Sequence, residues 1–454
     1  MKLTLLILHI IVSFSLLVKS IYDSTSITLP IVKNKRSAQT HDNKRSNTKL
    51  YNKDGSEYLI SVGIGTPSQH FTVSLDTGSS DLWVPSTSCP VSECPFDRFD
   101  ISKSSTFQFI YQEDELSIQY GIGDMKGIYG CDTVCLSNDS LYCIPQQVFG
   151  LASSTHDLID LTRHPLNLPN SNGIFGIGNY HEGIKYVPFM IRLVQEGLIK
   201  QALFSISMSA YHHVGWTGEL TLGGIDPTKY EGDLDYTTVL SNSSHYWMVG
   251  VQRIQILYHH NDDNDNDNDN DDDNDVIFDY AFNPVQGMII DTGTTLSYMD
   301  QRILERILSK TIEGEQQHIF FDQMLGMYII DCQVFTHDNQ QRKMEFVLKD
   351  DCRFSLPLRD LVIEQQDGVC LFGIAPWIAN DNNVSSKMKE EGWILIGESI
   401  LRSTYLVFDM ENQRVGFAPS ILHQPHPSSS SRQVVCYYSM KVIYSIILLF
   451  IHII

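Results

Sequence analysis

One tripeptide occurs twice in matched surroundings, as Asp76-Thr77-Gly78 and as Asp291-Thr292-Gly293. Each copy follows apolar residues and precedes a hydroxyl residue, Ser79 or Thr294. A single Asp-Thr-Gly arises readily by chance. Two copies in matched settings point to two related halves, each supplying one acidic side chain. A chain of 454 residues is long enough for that arrangement, either as two domains or as one bilobed unit.

From Glu57 onward the chain reads as short β-rich runs separated by Gly, Pro, Asn and Asp, for example Tyr58–Ile64 and Phe71–Leu75. Helical patterning is confined to 187–198 and 300–311, so a mainly β protein is expected. Apolar content of 42% with 19% charged residues excludes a disordered chain. The net charge of -22 disfavours nucleic acid and anionic membrane as partners. The sixteen histidines show no ligand spacing, and neither a metal nor a cofactor is expected.

Phe71-Thr-Val-Ser-Leu-Asp-Thr-Gly-Ser-Ser-Asp-Leu-Trp-Val-Pro85 resembles the first active-site motif of the pepsin-like aspartic proteases. Ile289-Ile-Asp-Thr-Gly-Thr-Thr-Leu296 is similar to the second. Ile118-Gln-Tyr-Gly-Ile-Gly-Asp124 resembles the flap hairpin, which would make Tyr120 the flap tyrosine on Gly121 and Gly123, with Trp83 as its hydrogen-bond partner. Asn172–Gly178, Trp393–Gly397 and Tyr405–Pro419 resemble further segments of that family, so the likeness runs from about Glu57 to Pro419. It implies a bilobal fold with a cleft between two β lobes, divided here as 46–235 and 236–420. It also implies disulfides Cys89–Cys94 and Cys332–Cys370. One departure is Gly397-Glu398 where the family has Gly-Asp, which is expected to alter the primed side of the cleft rim.

The resemblance implies an aspartic endopeptidase that acts on polypeptides with Asp76 and Asp291 as the catalytic residues. Hydrolysis without a metal or covalent intermediate needs one group to take a proton from water and another to polarise the carbonyl. Two carboxylates at close quarters cannot both ionise; sharing one proton, they supply both functions, and the aspartic proteases are the standard instance of such a pair. Gly78 and Gly293 would allow the tight turns that present the acids, while Ser79 and Thr294 would bond their outer oxygens. An inactive peptide-binding homologue is the rival from another class, disfavoured because every one of these residues is present. A vacuolar or digestive general protease is the rival among enzymes. Ile122 after the flap Tyr-Gly argues for an apolar substrate preference.

The ends of the chain read as targeting and processing segments. Residues 1–20 have the basic start, apolar centre and small-residue end of a signal peptide. Residues 21–45 carry Lys35-Arg36 and Lys44-Arg45, natural sites for a dibasic processing protease, and are expected to be a propeptide. Residues 421–454 join a cluster Ser428–Ser431 to a spacer and an apolar run Val442–Ile454, the order of a glycolipid attachment signal. The expected product is a monomer, extracellular or at the cell surface. Residues 261–275 are nine Asp and six Asn, a solvated, disordered insert between strands. Such an acidic insert resembles that of the yapsin-like fungal surface proteases, though not necessarily in its position. Sequons at Asn138, Asn242 and Asn383 fit a secretory glycoprotein. Of nine cysteines, Cys135 and Cys143 can clip a hairpin while Cys131 and Cys352 have no assigned partner. Loss of Cys436 with the tail would leave eight, permitting complete pairing.

Overall fold

The runs of β-branched and aromatic residues do form strands. The computed structural model describes residues 27–33 (backbone alone) and 57–421, apart from 111–115, 122, 137–142, 157, 160–169, 181–185, 209–214, 242–245, 260–273, 312–318, 333, 335–341, 365–368 and 378–387. The signal segment, both dibasic pairs, the three sequons, Ile122 and the tail beyond Ile421 lie outside the described residues.

The first half holds β1 (Ile27–Lys33), β2 (Tyr58–Ile64), β3 (Gln69–Asp76) and β4 (Leu82–Pro85). It continues with β5 (Gln108–Phe109), β6 (Leu116–Gln119), β7 (Asp124–Leu136), β8 (Cys143–His156), β9 (Ile174–Gly176), β10 (Leu203–Ser207) and β11 (Gly215–Leu222). The second half begins with β12 (Asp235–Thr238), β13 (Met248–His259), β14 (Asn274–Ile290) and β15 (Ser297–Met299). Shorter strands follow, ending in Ile394–Ile396, Thr404–Asp409 and Arg414–Pro419. Three sheets result, of fourteen, seven and four strands, and the fold is the mainly β, bilobal one expected. In β2 six of seven residues are buried, as suits an apolar run covered on both faces.

The two strands of 404–419 pair with each other, and Thr404–Asp409 also pairs with β10, so these strands close on the first half. The core is continuous across the halves. Phe204 stacks on Phe408 at 4.7 Å, and Trp247 donates from Nε1 to the Ile177 carbonyl at 3.0 Å. Each fully buried side chain of that size contributes roughly 1.5–3 kcal/mol.

Helix α1 (Phe189–Gln195) is shorter than the patterned window because Pro188 stands at its N-terminal boundary and Gly197, at φ 69°, turns the chain away after it. Helix α2 (Gln301–Thr311) begins where the Asp300 carboxylate accepts from the Arg302 amide, and it buries Ile303, Leu304, Ile307 and Leu308 along one stripe.

Strand β1 lies inside the expected propeptide yet is an internal member of the large sheet, paired along its length with β11 and at its end with β2. The Asn/Asp run falls in sequence between β13 and β14, and its residues 261–273 lie outside the described ones. Its last two residues are not loop as expected, because the ladder reaches His259 opposite Asn274 and carries Asn274 and Asp275 into β14.

Disulfides join Cys89 to Cys94, Cys135 to Cys143 and Cys332 to Cys370. Complete pairing of eight cysteines does not occur: Cys131, half-buried on β7, and Cys352, buried in the second half, are free thiols.

Candidate active site

Each Asp-Thr-Gly follows a strand that is clamped from one side by a short parallel partner. β3 runs beside β9, with Asp76 opposite Gly176, and β14 runs beside Ile394–Ile396, with Ile290 opposite Ile396. β4 and β15 pair antiparallel to those same partners, so the two halves repeat one local design. The Ile177 amide bonds the Asp76 carbonyl at 2.7 Å, and the Asp291 amide bonds the Ile396 carbonyl at 3.0 Å. The loops that follow are thereby fixed to rigid strands.

The loops then lock into each other. Thr77 Oγ1 donates to the Ile290 carbonyl at 2.8 Å, and Thr292 Oγ1 donates to the Leu75 carbonyl at 2.9 Å. Each threonine amide also donates to the opposite threonine hydroxyl, at 3.2 and 3.0 Å. These are buried bonds between polar groups that would be costly to leave unmet. They bring the acids together: Asp76 and Asp291 are 6% and 8% exposed, and each carboxyl lies against the glycine of the opposite loop.

Around each carboxyl the partners match. Asp76 Oδ1 accepts from the Gly78 amide at 2.7 Å and Oδ2 from Ser79 Oγ at 2.5 Å. Asp291 Oδ1 accepts from the Gly293 amide at 2.8 Å and Oδ2 from Thr294 Oγ1 at 2.7 Å. The glycines are required by close approach. A Cβ on Gly78 would stand 2.6 Å from the Asp291 carboxyl carbon, and one on Gly293 would stand 2.5 Å from Asp76 Oδ1.

Burial raises the pKa of both acids. The Asp76 charge pushes Asp291 further, while the hydroxyl and amide donors pull each one back. The protons belong to the pair, which holds one more readily than two isolated carboxylates would.

Over the pair stands the hairpin of β6 and the start of β7, closed by the Tyr120 amide on the Gly123 carbonyl at 2.8 Å. Gly121 is exposed at its turn, and Gly123 is half-buried. Trp83 Nε1 donates to Tyr120 Oη at 2.8 Å. Burial and the Asp76 charge push the Tyr120 phenol well above its ordinary value, so it keeps its proton.

All the residues singled out from sequence around the two tripeptides and the hairpin therefore come together. The implied bridges Cys89–Cys94 and Cys332–Cys370 both form. Glu398 does not reach the cleft rim as expected: it is 1% exposed, the first residue of a one-turn helix (Glu398–Leu401) folded behind the second loop. The cross-bonding role of Thr77 and Thr292 was missed, although their recurrence was a visible signal. Asp81, Tyr129 and Tyr186 were missed as a group, because two isolated tyrosines far apart in sequence carry no spacing.

The family model of the eukaryotic aspartyl proteases matches residues 57–420, and the chain belongs to that family. It is an aspartic-type endopeptidase, a hydrolase acting on polypeptides. Among curated proteins it is similar to gastricsin of Oryctolagus cuniculus, 30% identical over 370 residues that cover 80% of this chain and 81% of the relative. It is also similar to pepsin B of Canis lupus familiaris, 30% identical over 80% of this chain and 82% of the relative. Gastricsin of Homo sapiens is 28% identical over 80% and 81%. These likenesses correct the expected yapsin-like fungal branch. The feature behind that expectation was the acidic insert, and loops accept such additions without change to the fold they decorate.

Proposed function

We propose that Asp76 and Asp291 hydrolyse peptide bonds by activating a water held between their carboxyl groups. The observation that carries this reading is the meeting of two buried acids on loops cross-bonded through Thr77 and Thr292. With one proton on the pair, the ionised carboxylate takes a proton from water as oxygen attacks the carbonyl. The protonated partner bonds the carbonyl oxygen, and the proton then passes to the leaving amine. Ser79, Thr294 and the Gly78 and Gly293 amides hold the carboxyls in place. Extended polypeptide lies across the cleft beneath Tyr120, Gly121 and Gly123, with Trp83 fixing the tyrosine.

The same reading takes the chain through the secretory route as a glycosylated, monomeric zymogen. Cleavage at Lys35-Arg36 or Lys44-Arg45 by a dibasic processing protease removes the leader, and β1 leaves the large sheet with it. The tail is exchanged for a lipid near Ser428–Ser431, which places the enzyme at the cell surface.

Asp76→Asn and Asp291→Asn are each expected to lower peptide hydrolysis by about 10³-fold or more with the fold retained. A statine-containing peptide should inhibit the unaltered enzyme, and a chelator should not. Substantial turnover by either variant, or loss of activity with chelator, overturns the mechanism. Sequencing of the mature N-terminus and mass spectrometry of the C-terminal peptide check the processing; an intact Ile454 removes the lipid attachment.

A further inference from the structure

Asp81 lies five residues beyond Asp76, between the first loop and β4, and none of the chemistry above uses it. Its Oδ1 accepts two phenol hydroxyls, from Tyr129 at 2.8 Å and from Tyr186 at 2.5 Å. The two rings lie 5.5 Å apart, and Tyr186 also reaches the Ser80 carbonyl at 3.5 Å. Burial and the Asp81 charge raise both phenols, so each keeps the proton it donates.

The position of Tyr129 gives this cluster its meaning. The flap hairpin pairs β6 with β7 from Gln119 opposite Asp124 down to Leu116 opposite Gly127. At that last pair the register between β7 and β8 shifts, a bulge that raises the local twist, although the ladder goes on to Asp124 opposite His156. Gly127 is pressed there against the Leu151 carbonyl, 2.1 Å from where a Cβ would be. Tyr129 follows two residues later, past the bulge from the flap turn and opposite Gly150. Asp81 therefore grips the flap at its root, while Trp83, two residues further along the same segment, grips it near its tip through Tyr120. Two points nine residues apart on the hairpin strand and turn are held by side chains of one short stretch leading from the catalytic loop.

We propose that Asp81, through the hydroxyls of Tyr129 and Tyr186, is a positioning residue for hydrolysis: it fixes the root of the 116–127 hairpin to the loop carrying Asp76 and so sets where Tyr120 stands over the pair. The inference rests on the reading of Asp76, Asp291 and Tyr120 given above. Both hydroxyls converge on a single carboxyl oxygen, and one oxygen has lone pairs for two donors. The acceptor geometry is what matters, and an amide oxygen at residue 81 should serve.

The test compares Asp81→Ala, Asp81→Asn, Tyr129→Phe and Tyr186→Phe with Asp76→Asn, measuring kcat and KM on an internally quenched peptide together with amide hydrogen exchange. Asp81→Ala should lower kcat/KM by about tenfold, and the two hydroxyl deletions combined should do the same. Asp81→Asn should stay within about twofold of the unaltered enzyme. Exchange over 116–127 should quicken in Asp81→Ala while that of 248–259 is unchanged. Unaltered kcat/KM in the double Phe variant overturns the proposal, as does a loss in Asp81→Asn equal to that in Asp81→Ala. Faster exchange across the whole first half would reduce Asp81 to a scaffold residue and likewise overturn it. Should Asp81→Ala fail to fold, the Phe variants decide, since they remove only an oxygen. Turnover by Asp76→Asn would instead sink the underlying assignment, an outcome distinct from failure of the grip.

Discussion

The two Asp-Thr-Gly loops are near copies up to the fourth residue and part company at the sixth. Ser79 and Thr294 do the same work on the outer carboxylate oxygens. At the next-but-one position the first loop has Asp81, bonded to two tyrosines, and the second has Leu296, buried with Ile363 and Ala375. Two residues on, Trp83 donates to the flap tyrosine, whereas Tyr298 stacks on Trp377 at 5.0 Å. Symmetry is kept where both halves must present an acid. It is given up where the first half alone has a hairpin to hold over the cleft.

If the shared part of the design is truly equivalent, the two glycines should be equally intolerant. Gly78→Ala and Gly293→Ala each drive a methyl into the opposite carboxyl. Both should lose hydrolysis by about 10³-fold, the scale expected when acid–base geometry is destroyed. Activity surviving in one of them would show that the loops differ in their freedom to move apart, and would break the comparison at its strongest point.

The disulfides sharpen it differently. In the first half they close short loops, with sequence separations of 5 and 8, and in the second half one bridge spans 38 residues. Loop-closure entropy makes the long one the larger contributor, about 4 kcal/mol for Cys332–Cys370 against about 2 kcal/mol for Cys89–Cys94. Paired Cys→Ser variants, followed by denaturant titration of purified protein, should show that order. The reverse order would mean that the second half keeps its loop closed in the unfolded chain.

Much of this was legible in the sequence because it depends on local pattern. The recurring tripeptide, the apolar strands leading into it and the turn glycines declare themselves in windows of ten residues. Tyr120 and Trp83 were legible through a motif. The grip of Asp81 was not, because Tyr129 and Tyr186 lie on a long strand and before a helix, and only the folded sheet brings their hydroxyls to one oxygen. Glu398 misled for a related reason: its neighbourhood looks like a rim in sequence, but the turn of helix at 398–401 packs it inward. The place of β1 in the large sheet was also hidden, since a leader lying between two basic pairs and a signal segment gives no hint of its partner at 215–222.

The smallest expected effect tests whether the hydroxyl donors are interchangeable. A hydrogen bond to the ionised carboxylate favours that form, so its loss raises the acid's pKa. Ser79 is the largest influence lowering Asp76, and Thr294 is the largest lowering Asp291. Ser79→Ala and Thr294→Val should therefore both move the acid limb of kcat/KM against pH upward, by something under about one unit for a bond of about 1 kcal/mol. The linked stability follows with its sign fixed. Acids whose folded pKa is raised favour the fold fully below their unfolded values and lose that contribution as pH rises through the folded ones. Either variant, by raising the folded pKa further, should lose more stability between acid and neutral pH than the unaltered enzyme, and thermal melts at the two ends measure it. The profiles should still differ in one respect, because Ser79 lies close enough to the Tyr120 phenol to act on it, whereas Thr294 belongs to the loop of the other half. Ser79→Ala should add a rise in KM to the pH shift, and Thr294→Val should shift pH alone. Equal KM in both variants would mean that Ser79 does not help hold the flap, leaving that task to Trp83 and Asp81.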